Sequence, residues 1–129
     1  MRALSVRQPW AYAIMHLGKT VENRTWALRL RTPFECVIHA GKAWGRDERF
    51  DAEDLRVAHE GTPLSLPLGA LVGIVTVTGC ITRPRNEVER EWFCGPYAFT
   101  LENPRPFPIP IPWKGALGFF ELPLEFTAS

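Results

Sequence analysis

The chain has 129 residues, 46% of them hydrophobic and 12% aromatic, with a formal net charge of +1. That length suits one domain with its own core, spanning residues 1–129, and the composition excludes a disordered chain. Balanced charge argues against a protein that binds by bulk neutralisation of a nucleic-acid backbone. The longest apolar run, near residues 70–77, is far shorter than the roughly 20 residues of a membrane helix.

Residues 3–6 alternate as a short first strand, and residues 8–17 read as a helix. Pro9 falls in the helix's first turn, where a missing N–H costs nothing; Trp10, Ile14 and Leu17 make one apolar stripe, and Gly18 ends it. Residues 22–30 and 34–39 alternate well enough to be paired strands across a turn at Arg31-Thr32-Pro33. The charged stretch 44–60 has a helical pattern, stopped by Gly61-Thr62-Pro63. Residues 69–82 carry the longest strand signal, with Val75 and Val77 on one face and Thr76 and Thr78 on the other. A short helix is expected over 85–93, and further strands over 97–101 and 117–122. Between those strands, residues 104–112 place proline at every second position, which predicts an extended strap along an edge.

The opening segment lacks the apolar stretch of a secretory signal, so a cytoplasmic protein without membrane association is expected. Cys36, Cys80 and Cys94 are widely spaced and form no C-x-x-C pair. Free thiols are the expectation, with no metal and no cofactor.

Charge is distributed unevenly. Residues 1–31 hold six cations against the single carboxylate of Glu22. Lys19, Glu22 and Arg24 stand together where a glycine turn runs into a strand; residues 22 and 24 share a face, and Lys19 reaches them from the turn. A carboxylate between two cations stays ionised and can accept hydrogen bonds from a base edge, while the cations hold a phosphate or carbonyl oxygen. Arg7 and Gln8 lie at the junction of the first strand and helix, and His39 and Lys42 follow the third strand. Trp26 and Tyr97 are the aromatic candidates for stacking on an unpaired base.

The K-x-x-E-x-R spacing of Lys19, Glu22 and Arg24 resembles the signature of the ASCH domain, a branch of the PUA-like β-barrels linked to RNA. The family's glycine lies two residues before the lysine, whereas here Gly18 directly precedes it. The resemblance continues through Ser5-Val6-Arg7-Gln8-Pro9-Trp10, His39-Ala40-Gly41-Lys42, Gly95-Pro96-Tyr97 and Lys114-Gly115-Ala116-Leu117-Gly118. It implies an α+β fold, a PUA-like β-barrel of about five to six strands with two or more flanking helices. The implied function is binding of RNA or a modified nucleobase in a cleft between the first helix and the barrel. Arg7, Gln8, Lys19, Glu22, Arg24, Trp26, Lys42 and Tyr97 are then the expected ligand contacts.

Two enzymatic readings accompany it. Ribonuclease activity, reported for some members, would draw on Lys19, Lys42 or His39 as acid–base or charge-stabilising groups; the candidate catalytic residues are Lys19, Glu22 and His39. One branch of the family resembles an amidohydrolase acting on an acylated pyrimidine nucleoside, through a lysine, a threonine three residues on and a glutamate from a later strand. Here Lys19 matches, Glu22 occupies the threonine's place, and residues 63–86 contain no Asp or Glu. A protein-interaction module using the proline strap is the remaining alternative.

Overall fold

The computed structural model describes residues 1–42 and 66–123. The elements are β1 (Arg2–Val6), α1 (Trp10–His16), β2 (Val21–Arg24), β3 (Phe34–Ala40), β4 (Ala70–Ile81), α2 (Glu87–Trp92), β5 (Tyr97–Pro112) and β6 (Phe119–Glu121). The helix expected over 44–60 lies outside the described residues. The strands form one curled sheet in the order β2-β5-β4-β3-β1-β6, a six-strand half-barrel with two helices that agrees with the expected α+β, PUA-like barrel. β4 lies inside it, antiparallel to both β3 and β5, while β1 and β3 run parallel with Val6 opposite Ala40.

One expected pairing is absent. β2 ends at Arg24 and pairs with β5, Glu22 opposite Phe99 and Arg24 opposite Tyr97, rather than continuing to residue 30 beside β3. The alternation of Trp26 and Leu28 has another cause. Leu28 packs against the main core, and Trp26 lies edge-on to Phe99 and Phe119 at 5.2 and 6.0 Å between ring centroids. The segment after Arg24 therefore buries apolar side chains without a ladder.

The sheet carries a core on each face. Inside the curl, α1 inserts Ala11, Ile14 and Met15 among Leu4, Val6, Cys36, Ile38, Val75, Val77 and Phe99. On the other face Ala3, Val37, Leu71, Ile74 and Leu122 meet Phe107, Ile111, Trp113 and Phe120. Both faces of β3 are consequently buried, from Cys36 to Ala40. The proline strap is the second half of β5, not a separate element. Alternate residues of a strand direct their N–H groups to opposite sides, so prolines at even positions leave the odd ones able to pair with β4. The Trp113 N–H keeps that parity in its bond to the Gly69 carbonyl at 3.0 Å. The proline side lacks donors and blunts the edge.

α2 is fixed by its N-cap Asn86, whose side chain accepts the Glu89 N–H at 2.9 Å. Arg85 binds the Glu89 carboxylate, with Nη2 and Oε2 2.6 Å apart, and holds that carboxyl below the usual range. The helix leads into the 93–96 loop, which forms part of the cleft described below.

Two outcomes test the packing. A Cβ on Gly73 would fall 2.5 Å from Met15 Sδ and 2.8 Å from the Arg105 carbonyl oxygen. Gly73→Ala should lose about 1–3 kcal/mol in denaturant unfolding, the usual range for overpacking; an unchanged midpoint would contradict this contact between α1 and the sheet. Burial pushes the Cys36 thiol from 9.0 up to about 12. The unfolded chain then ionises first, so the stability this thiol contributes is full below pH 9.0 and declines as pH rises toward 12. Above pH 9.0 wild type should lose stability faster than Cys36→Val, and parallel curves would refute the burial argument.

Candidate functional site

Gly18 adopts a φ of +74°, which reverses the chain after α1. The Lys19 N–H folds back to the Ala13 carbonyl at 3.1 Å. This turn sends the Lys19 side chain inward, where only 3% of it is exposed. Its ammonium donates to the Val21 carbonyl and lies 3.4 Å from Glu22 Oε1 and 5.8 Å from the centre of the Trp10 ring. Burial pushes the Lys19 pKa down, and the Glu22 carboxylate opposes that shift.

Arg24 takes the other side of the same carboxylate. Its Nη2 stands 3.0 Å from Glu22 Oε2 and donates to the Ser5 carbonyl at 2.7 Å. This tie joins β2 to β1, which the sheet order separates by three strands. Arg24 Nε is buried with no hydrogen-bond partner among the described residues. Asn23, on the opposite face of β2, secures the loop after α2: its Nδ2 donates to the Trp92 carbonyl at 3.0 Å, and its Oδ1 accepts the Cys94 and Gly95 N–H groups at 2.9 and 3.1 Å.

Around Glu22 and Arg24 opens a cleft of about 680 Å³. Its walls are the ends of β1 and β3 with Arg7, Gly41 and Lys42, the start of α1 with Trp10, the chain from Glu22 to Trp26, the loop at Cys94 and Gly95, and the segment Ala116, Leu117 and Gly118. Three cations, Arg7, Arg24 and Lys42, and one carboxylate, Glu22, supply the charge of this lining. Trp26 is 37% exposed and Leu117 99%. The arrangement can accept a donor edge at Glu22, stack a ring on Trp26 and attract an anion.

The structure brings together Arg7, Glu22, Arg24, Trp26 and Lys42, five of the residues singled out in the sequence. Four others stand elsewhere. Lys19 lies beneath Glu22 and borders a smaller, mostly apolar hollow with Ile14, Val75 and Leu101. Gln8 is buried, its Oε1 accepting the Tyr12 N–H at 2.9 Å and its Nε2 donating to the Pro67 carbonyl at 3.1 Å, so it fastens the start of α1. His39 is buried on the far face, with Nδ1 3.0 Å from Ser5 Oγ and Nε2 2.7 Å from the Trp113 carbonyl. Tyr97 is half-buried opposite Arg24. Asn23, Ser5 and the lip residues Cys94 and Leu117 were not among the ligand contacts expected from the sequence. Its position between Glu22 and Arg24 was the available signal for Asn23. Among the described residues no cluster of His, Cys, Asp or Glu has the makings of a metal site, and no helix is long and apolar enough to cross a membrane.

A six-strand curled half-barrel sheet with two helices has the architecture of an α+β PUA-like barrel. The chain belongs to the ASCH domain family, whose model matches residues 4–110. Solved structures agree on the fold. The ASCH protein from Zymomonas mobilis aligns with a TM-score of 0.58 at 16% identity, covering 96% of this chain and 88% of that one. A serine-to-alanine variant of it aligns at 0.53 and 17%, covering 96% and 89%, and a tyrosine-to-phenylalanine variant at 0.58 and 16%, covering 96% and 91%. No curated protein sequence matches the chain.

Removing the Glu22 carboxylate leaves the Lys19 and Arg24 charges facing one another with little solvent. Glu22→Ala should lower unfolding stability by about 3–5 kcal/mol, the cost of orphaning buried charge. A loss under about 1 kcal/mol, the size of an exposed ion pair, would show that the carboxylate does not hold the turn.

Proposed function

We propose that this protein binds single-stranded RNA or a modified nucleobase in the cleft between α1 and the barrel, with Glu22 accepting from the base edge and Trp26 stacking on its face. The supporting observation is the Glu22 carboxylate, fixed between two cations and lining a cleft beside an exposed tryptophan. Burial lets such a carboxylate keep a defined direction, and a base offering N–H donors satisfies it as water does. The excess of cations in the lining suits a phosphate-bearing strand, and the ASCH family is one generally associated with RNA binding.

Hydrolysis draws less support from the geometry. The Lys19 amine faces Glu22 and a backbone carbonyl rather than the cleft, and both ring nitrogens of His39 are engaged on the far face. Binding requires only groups that line the cleft.

Two exposed thiols offer a test that leaves the chain unaltered. Cys94 lines the cleft, whereas Cys80 lies outside it on β4. Short single-stranded RNA of mixed sequence, or a nucleoside from a panel of plain and acylated forms, should slow alkylation of Cys94 several-fold and leave Cys80 unchanged. Trp26→Leu keeps an apolar group against Phe99 and should weaken the same ligand about ten-fold, the lower part of the range for a stacked base. Protection of neither thiol by any member of the panel would refute the reading.

A further inference from the structure

We infer that the ligand of this cleft is a nucleotide rather than a free nucleoside or base, and that Arg7 and Lys42 form its phosphate-recognising rim. The inference rests on the proposed binding function and specifies its ligand class. β1 and β3 are parallel neighbours, with Val6 opposite Ala40, and the Gly41 N–H extends their ladder to the Val6 carbonyl at 3.0 Å. Arg7 directly follows β1 and Lys42 lies two residues after β3, and both line the cleft at this end of the pair. Both are exposed.

The lysine packs against its neighbours along its stem. Its stem lies along Gly69, where an added Cβ would sit 3.0 Å from Lys42 Cγ and Cε. Gly41, next to Lys42 and hydrogen-bonded to the Val6 carbonyl, contributes no side chain, and a Cβ built there meets no atom of the described residues within 4 Å. The rim thus combines two positive groups with open space at Gly41, the shape and charge an oxyanion fills.

Across the cleft lie the groups that suit a base: Glu22 as acceptor, Arg24 as donor and Trp26 as stacking surface. The lining is therefore divided into a base-reading wall and an anionic-ligand rim. A nucleoside would occupy the first and leave the second empty. A phosphorylated nucleotide, free or within a strand, engages both.

The experiment compares the four common ribonucleosides with their 5′- and 3′-monophosphates, and with a short mixed-sequence RNA, by calorimetry at two salt concentrations. At least one monophosphate should bind about ten-fold or more tightly than its nucleoside, and the position of its phosphate identifies which end of the nucleotide meets the rim. In Lys42→Ala that ratio should collapse to within about two-fold, and Lys42→Arg should restore most of it. Gly41→Leu, which fills the open space without removing a charge, should reduce the ratio as well. If only the RNA binds, Lys42→Ala should flatten its log-affinity against log-salt slope by about 0.7. Equal affinity for nucleoside and monophosphate, or an RNA slope unaltered in Lys42→Ala, would overturn the phosphate rim while leaving nucleobase binding intact. Failure of every nucleoside, monophosphate and RNA to bind would overturn both readings together.

Discussion

The Glu22 carboxylate, held between the Lys19 ammonium and the Arg24 guanidinium, is the interaction on which the rest of the site depends. Glu22 and Lys19 are almost wholly buried, and removing charge from water costs several kcal/mol per ion before any attraction is counted. Apolar residues of similar volume would fill the space with less risk. The ionic arrangement supplies direction instead: Lys19, turned in after the reversal at Gly18, holds one oxygen, and Arg24, placed by the β2–β5 pairing, holds the other. Arg24 then donates to the Ser5 carbonyl, so the same charge network spans the open side of the barrel, from the β2 edge to β1.

That open side needs more than one guanidinium. β2 and β6 are the two ends of the strand order, and the gap between them is filled by rings. Phe99 stacks on Phe119 with centroids 5.7 Å apart, Phe34 meets Phe119 edge-on at 5.7 Å, and Trp26 lies edge-on to both Phe99 and Phe119. Edge-to-face contacts are orientationally selective, so the cluster that closes the barrel also sets the plane of the exposed Trp26. The structural closure and the candidate stacking surface are the same residues. Phe99 is directly opposite Glu22 in the β2–β5 register, which places the ring cluster and the carboxylate on one face of the sheet.

Elements with strong local signals were legible in the sequence. β4 announced itself through β-branched alternation, α1 through its apolar stripe and Gly18, and the strap through prolines whose missing donors restrict where they can lie. Parity was harder to read, because it needs to be known which side of a strand is covered. Here β3 is covered on both sides, so alternation does not distinguish Ile38, inside the curl, from His39, which belongs with Val37 on the far face. The segment after Arg24 misled for a related reason: its alternating apolar residues face the ring cluster and need no strand partner. Lys19 and Gln8 read as ligand contacts at element ends, yet Lys19 turns inward to the Val21 carbonyl and Gln8 satisfies the Pro67 carbonyl, brought close only by the tertiary fold.

The charge pattern shows the same distinction between proximity in sequence and convergence in space. Six cations crowd residues 1–31, but only Arg7 and Arg24 of these reach the cleft, joined by Lys42 from β3's end. Arg2 instead covers the Phe34 ring at 4.8 Å, and its charge serves the wall of the barrel. A protein with a net charge of +1 generates little long-range field, and at physiological salt exposed charges are screened beyond about 8 Å. The three cleft cations therefore act over the dimensions of the cleft itself. Under the proposed binding function, such a site rewards a ligand already seated on Trp26 and Glu22, and it gives a passing polyanion little reason to bind elsewhere on the surface. Selectivity of this kind follows from having neutralised the rest of the molecule as much as from the residues that line the cleft.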